Sequence, residues 1–213
     1  MKKATLILGG SRDSSNEFYI SKIDEADYLV AVDSGANLLF EIRILPDLLI
    51  GDLDSINGKA LIWCKENNVE IISFDTSKDE TDTELALNEM YKRGFNEVLL
   101  LNALGDRPDH FLATIYLLYS YSEKMNVLII NENLISSVLS GNNLLDAKEG
   151  ELWSVLPVGE DIPLVSLKGF EYEITRKMMP FSKPFGTSNV SKSDKVAINT
   201  KKGAVIYFRW LNK

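Results

Sequence analysis

Acidic side chains recur along this chain, each cluster just after a short apolar run. Tyr28–Val32 runs into Asp33-Ser34-Gly35-Ala36, and Leu48–Ile50 runs into Gly51-Asp52-Leu53-Asp54-Ser55. Val69–Phe74 leads to Lys78-Asp79-Glu80-Thr81-Asp82, and Glu97–Leu101 leads to Gly105-Asp106-Arg107-Pro108-Asp109-His110. Carboxylates gathered at one edge repel one another unless a cation sits among them. Ligands that are all oxygen suit Mg²⁺ or Ca²⁺ better than zinc, and a nucleotide favours Mg²⁺. Gly51 lets a phosphate come close to the backbone beside Asp52 and Asp54. An extended backbone there would put alternate side chains on one face and aim both acids at one metal. Lys78 and Arg107 then add the positive charge a polyphosphate needs, arginine as a two-pronged donor. No Walker A run is present, and Leu8-Gly9-Gly10-Ser11 is not a dinucleotide fingerprint, so the implied phosphate site is led by a metal.

Each cluster alone has a plainer reading. Asp33 can begin a turn, and Asp54 or Ser55 can cap the helix that follows. Ser77 with Glu80, or Thr81 with Glu84, has capping-box spacing, and His110 fits the first turn of a helix. What favours chemistry is their convergence. In open parallel sheets ligands bind beyond the carboxyl ends of the strands, where all four clusters fall.

The elements that must position them alternate. Thr5–Leu8, Tyr28–Val32, Leu48–Ile50, Val69–Phe74, Glu97–Leu101 and Asn126–Ile130 read as strands. Asn37–Ile42, Gly58–Asn67, Asp82–Arg93 and His110–Ser122 read as helices, with Gly94 after Lys92-Arg93 as a stop signal. Alternation of this kind predicts βαβ units in a Rossmann-like, mostly parallel sheet. Near residue 138 the character changes to short alternating runs at Leu152–Leu156, Leu164–Leu167, Lys195–Asn199 and Ala204–Trp210, which predict a small antiparallel β unit. The expected organisation is an α/β domain over residues 1–138 and a β domain over residues 139–213.

At 213 residues the chain can bury a sizeable core, and a net charge of −8 argues against a non-specific nucleic-acid binder. A nucleotide ligand stays open, because Mg²⁺ bridges carboxylates to phosphates. Cys64 is the only cysteine, which excludes an internal disulfide and fits a reducing compartment. The apolar run Ala4–Leu8 is too short for a signal peptide, and Phe111–Tyr121 is too short and too broken for a membrane span. A soluble, cytoplasmic protein without a membrane partner is expected.

Taken in order, these motifs resemble the thiamine pyrophosphokinase family. The matching pieces are Ala31-Val32-Asp33-Ser34-Gly35-Ala36, Pro46-Asp47 leading to Gly51-Asp52-Leu53-Asp54-Ser55, Lys78 through Ala86, and Gly105 through His110. Lys168-Gly169-Phe170-Glu171-Tyr172 is similar to a family segment that stacks an aromatic ring on thiamine, and Thr187-Ser188-Asn189 to its substrate turn. The resemblance implies an N-terminal α/β domain for ATP, a C-terminal β-sandwich, and a homodimer with thiamine held at the subunit interface. Carried over, Asp52, Asp54 and Asp82 hold Mg²⁺ and the phosphates as the catalytic acids. Asp33, Lys78, Asp79, Arg107, Asp109 and His110 line the ATP and phosphate site, and Tyr172, Ser188 and Asn189 take thiamine. Tyr172 stands where the family commonly has tryptophan, and still offers a π-face to a cationic ring. Its plainer reading is a core tyrosine in a strand. Asp106 stands in place of a common second glycine, Asn102 in place of a small residue, and Val190 in place of an acid.

The activity so implied is transfer of diphosphate from ATP to the hydroxyl of thiamine, giving thiamine diphosphate and AMP. The rivals are a diphosphokinase for another hydroxymethyl heterocycle such as a pterin, a non-catalytic nucleotide or thiamine sensor, and a structural protein. The ring and the Ser-Asn turn favour thiamine over a pterin, and the full set of strand-end acids favours an enzyme over a sensor.

Overall fold

The computed structural model describes residues 2–77, 79–183 and 185–211. Lys78, assigned above to the phosphate site, lies outside the described residues. The chain divides into two compact units. One holds the residues up to Leu117 with Glu123–Glu132, the other Leu118–Ser122 with the residues from Asn133 on.

In chain order come β1 (Lys3–Ile7), α1 (Asn16–Asp24), β2 (Tyr28–Val32), α2 (Gly35–Ile42), β3 (Leu48–Gly51), α3 (Gly58–Glu66), β4 (Glu70–Ser73), α4 (Asp82–Lys92), β5 (Glu97–Leu101), α5 (Pro108–Tyr121) and β6 (Asn126–Ile130). The strands pair in parallel in the order β6-β5-β1-β2-β3-β4. Ala4–Ile7, Leu29–Val32, Leu48–Gly51 and Val98–Leu101 are buried throughout, as continuous apolar strands of a sheet covered on both faces must be. Strands β2, β5 and β6 have the bounds that the apolar runs predict. From β1 the chain builds outward to β4, then returns so that β5 pairs with the other side of β1. The strand order therefore reverses between β1 and β5, which opens a crevice at their carboxyl ends.

Helix α1 escapes a periodicity reading because only Tyr19 on it is buried. Its start is fixed locally, by Ser15 Oγ accepting the Phe18 N–H at 3.2 Å. Helix α5 starts at Pro108, a first-turn position where no N–H is needed. The cap of α3 is Asn57, whose Oδ1 accepts the Lys59 N–H at 2.9 Å, and not Asp54 or Ser55. Thr81 caps α4, accepting the Glu84 N–H at 3.2 Å, while Ser77 instead turns on Asp75.

The second unit is built from β7 (Leu134–Leu139), β8 (Asn142–Asp146), β9 (Leu152–Val158), β10 (Leu164–Lys168), β11 (Ile174–Met178), β12 (Asn189–Val190), β13 (Lys195–Thr200) and β14 (Ala204–Trp210). Antiparallel pairing joins β7-β14-β9-β12 in one sheet and β8-β13-β10-β11 in another. Alternate residues of both sheets, among them Trp153, Val155, Val165, Leu167, Ile198 and Tyr207, meet in one core, which makes the unit a β-sandwich. Strands β7, β8, β11 and β12 carry serines, asparagines or charges that hide them from an apolar-run reading. Glu151 and Arg209 form a two-pronged ion pair with both distances at 2.9 Å, and the guanidinium lies 5.4 Å from the Trp153 ring centre.

Candidate active site

Asp33 follows β2 in a left-handed conformation, φ 47°, which aspartate tolerates better than most residues. Its N–H reaches back to the Ile50 carbonyl at 2.8 Å, and the Ser55 hydroxyl donates to Oδ2. Oδ1 is buried and has no hydrogen-bond partner among the described residues. Gly51, at φ 151°, ends β3 directly over this residue, and a Cβ there would lie 3.0 Å from that of Asp33. Only glycine lets the two strand ends approach so closely.

Asp52 and Asp54 come next, and the geometry between them differs from the extended one expected. Leu53 is left-handed at φ 65°, a costly setting for a bulky residue, and the Asp54 N–H turns back onto Asp52 Oδ1 at 3.2 Å. The chain is therefore a tight turn, and the two side chains do not alternate along a strand. The acids that come together among the described residues are Asp33, Asp52 and Asp82, each half-buried and each offering an oxygen within 4.8 Å of the others. Asp82 reaches the group as the first residue of α4, where the helix N-terminus favours a negative charge. Asp54 stands exposed beside them. Its carboxyl is raised above the ordinary range, chiefly by the charge of Asp52, then by desolvation and by Asp33.

Asp33, Asp52 and Asp82 line a cleft of about 510 Å³ at the reversal point of the sheet, within the size range of small-molecule sites. Arg107 and His110 line it as well, His110 in the first turn of α5. Asp109 faces Arg107, with two bonds of 3.0 and 2.6 Å that hold its carboxyl down at about 2. Asp79 is exposed between β4 and α4. Pattern reading did not select Ser11, Asn102, Thr83 or Thr114, which also line the cleft. Ser11 and Asn102 follow β1 and β5, Thr83 is next to Asp82, and Thr114 lies one helical turn beyond His110 on α5; only those positions could have pointed to them.

In the second unit Tyr172 is 65% exposed and lies in the connection between β10 and β11, which overturns the core-strand reading. Asn189 is buried and clamps the backbone of Tyr172. It accepts the Tyr172 N–H at 3.0 Å and donates to the Tyr172 carbonyl at 2.9 Å. Ser188 is exposed and left-handed at φ 58°, with its N–H on Ser154 Oγ.

A parallel sheet with acids, glycines and an arginine gathered at its switch point defines an α/β protein with its ligand cleft at the carboxyl ends of its strands. Residues 19–129 match the family described as thiamin pyrophosphokinase, catalytic domain, and residues 142–205 match thiamin pyrophosphokinase, vitamin B1 binding domain. The chain belongs to the thiamin pyrophosphokinase family. It is 27% identical to the thiamine pyrophosphokinase of Bacillus subtilis over 98% of this chain and 99% of that one. It is 22% identical to thiamin pyrophosphokinase 1 of Caenorhabditis elegans over 85% and 79%. The fold superposes on the crystal structure of the Bacillus subtilis protein with a TM-score of 0.88, covering 100% of both chains at 22% identity. For thiamin pyrophosphokinase from Candida albicans the TM-score is 0.84 at 20% identity, over 99% and 89% of the chains.

Proposed function

We propose that this chain is an ATP:thiamine diphosphotransferase, a kinase that moves the diphosphate of ATP onto the hydroxyl of thiamine and releases AMP. The observation that carries the reading is the acid group Asp33, Asp52 and Asp82 at the switch-point cleft of a chain that matches both domains of the family. The reaction joins the thiamine oxygen to the β-phosphorus, breaks the bridge between the α and β phosphates, and passes the hydroxyl proton to a nearby base.

A divalent cation fits this donor set. All the donors are oxygens, and Asp33 Oδ1 is a buried acceptor to which none of the described residues donates. Asp33, Asp52 and Asp82 would hold Mg²⁺, with Asp54 adding its charge at the exposed rim. When bound, the cation supplies charge neutralisation for the migrating diphosphate. The protein's own part is alignment. The Ser55 hydroxyl and the Ile50 carbonyl fix Asp33, and the turn at Leu53 fixes Asp52. Arg107 offers its guanidinium at the cleft, oriented by Asp109, with His110 beside it; Asp79, and Lys78 on the same segment, add to the ATP and phosphate site.

The proposal gives residues 1–138 to catalysis and residues 139–213 to thiamine binding and dimerisation. Tyr172, Ser188 and Asn189 take thiamine at the interface of a homodimer. The support is an exposed aromatic ring whose backbone a buried amide holds in place. A cytoplasmic location belongs to the same reading, and the single cysteine supports it. Among the described residues no helix is long and apolar enough to cross a membrane.

Incubation with ATP, Mg²⁺ and thiamine, followed by mass detection, tests the reading. Thiamine diphosphate and AMP should appear in equal amounts. ADP as the stoichiometric nucleotide would mean a simple kinase, and ATP binding without turnover would mean a sensor.

A further inference from the structure

Two loops meet where the strand order reverses, and groups outside the ligand set hold them together. One loop leaves β1 through Gly9, Gly10 and Ser11; the other leaves β5 through Asn102 and Gly105. They touch backbone to backbone. A Cβ at Gly10 would strike the Asn102 carbonyl and lie 3.3 Å from the Gly105 Cα. Asn102 is 3% exposed and left-handed at φ 60°, a setting asparagine takes more readily than other residues with a side chain but less freely than glycine. What holds it is Tyr19 on α1, fully buried, whose hydroxyl donates to Asn102 Oδ1 at 2.5 Å. The same hydroxyl accepts the Asp13 N–H at 3.1 Å, which ties the far end of the first loop to the same point. At the mouth of the cleft the Ser11 hydroxyl donates to Asp106 Oδ2 at 2.5 Å, so the loops are joined at two depths.

We propose that Tyr19 is a positioning residue for the nucleotide site. Its hydroxyl fixes the left-handed Asn102 so that the Asn102 carbonyl seats Gly10, which gives the two loops one setting along the cleft. The Ser11–Asp106 bond closes the outer edge of the same joint. Tyr19 does not line the cleft; Gly10, Ser11, Asn102, Gly105 and Asp106 do. Without the hydroxyl, Asn102 is free to leave the left-handed region and carry its carbonyl away from Gly10. The proposal rests on reading the cleft as the ATP site. The competing role for Tyr19 is a core tyrosine that satisfies a buried amide; losing that would lower stability and leave ATP affinity alone.

The test compares Tyr19→Phe, Asn102→Ala, Asn102→Gly and the double variant Tyr19→Phe with Asn102→Gly, all checked for folding by circular dichroism. ATP affinity is read by calorimetric titration with Mg²⁺ and no thiamine, and KM and kcat are read for both substrates. Tyr19→Phe should weaken ATP binding about fivefold, the effect of one hydrogen bond, while thiamine KM and kcat stay within about twofold. Asn102→Ala, which loses the amide and disfavours the left-handed setting, should weaken ATP binding at least as much. Asn102→Gly adopts that setting unaided, so in that background removing the Tyr19 hydroxyl should change ATP affinity by less than about twofold. Unchanged ATP affinity in Tyr19→Phe with a lowered melting temperature overturns the proposal, as does an equal loss on removing the hydroxyl from Asn102→Gly. A wild type that binds ATP but makes no thiamine diphosphate defeats the functional reading, while the titrations still decide the role of Tyr19.

Discussion

Replacing Asp52 by asparagine should abolish activity and at the same time make the metal-free protein more stable. Asparagine keeps the shape of the side chain and an Oδ1 that can still accept the Asp54 N–H, now at 3.2 Å. What it removes is a charge whose oxygen lies within 4.8 Å of oxygens of Asp33 and Asp82. At that separation two unit charges repel by about 0.9 kcal/mol at the permittivity of water, and more where solvent is partly excluded. Two such pairs vanish with Asp52, as does its effect on Asp54, the largest influence raising that carboxyl. Since each charge is shared over two oxygens and screened, a gain of about 1–2 kcal/mol is expected, or roughly 2–8 °C in melting temperature for a chain of this size. The assay is a thermal melt in chelator at low ionic strength, repeated with Mg²⁺ and in high salt. Mg²⁺ should raise the melting temperature of wild type but not of Asp52→Asn, and high salt should shrink the difference between the two apo proteins. A variant that melts below wild type in chelator, or that Mg²⁺ stabilises as strongly as wild type, would refute the picture of acids set against one another to hold a cation.

Asn189→Ala should raise the KM for thiamine several-fold with little change in that for ATP, because it frees the backbone under Tyr172; Tyr172→Ala should do the same, and an equal loss for both substrates would count against the assignment. Arg107→Ala should return the titration of Asp109, followed by carbon-13 NMR, from about 2 to near its ordinary 3.8. Because the folded-state value is depressed, the pair contributes above that ordinary value and its contribution is lost as pH falls through about 2; an unmoved titration would show that Arg107 is not the cause. Arg209→Leu strands the buried Glu151 carboxylate and should cost about 3–5 kcal/mol, read as a fall in melting temperature of about 6–20 °C. Adding Glu151→Leu should recover much of it, and a loss in the single variant below about 1 kcal/mol would refute the ion pair's importance.

The sequence by itself carried the α/β alternation, because strands of a covered parallel sheet must be continuous apolar runs and their bounds are written in Val, Ile and Leu. It carried the clustering of acids after those runs, and with it the class of ligand. It did not carry α1, whose single buried residue leaves no stripe to read, nor the half-polar strands β7, β8 and β12, whose pairing partners lie far along the chain, nor β11, whose charged residues hide it although it pairs with the strand just before it. The acid group shows the limit most clearly. Local spacing favours Asp52 with Asp54, yet a left-handed Leu53 turns the chain between them, and the tertiary fold brings in Asp33 from the end of β2 and Asp82 from the start of α4 instead. Likewise nothing local tells Asn102 to be left-handed; that follows from a tyrosine 83 residues earlier and a glycine whose missing side chain admits its carbonyl. Side-chain type and spacing act over a few residues and fix which chemistry is present. Which of those groups share a site is decided by strand order, because only the assembled sheet sets the ends of distant strands side by side.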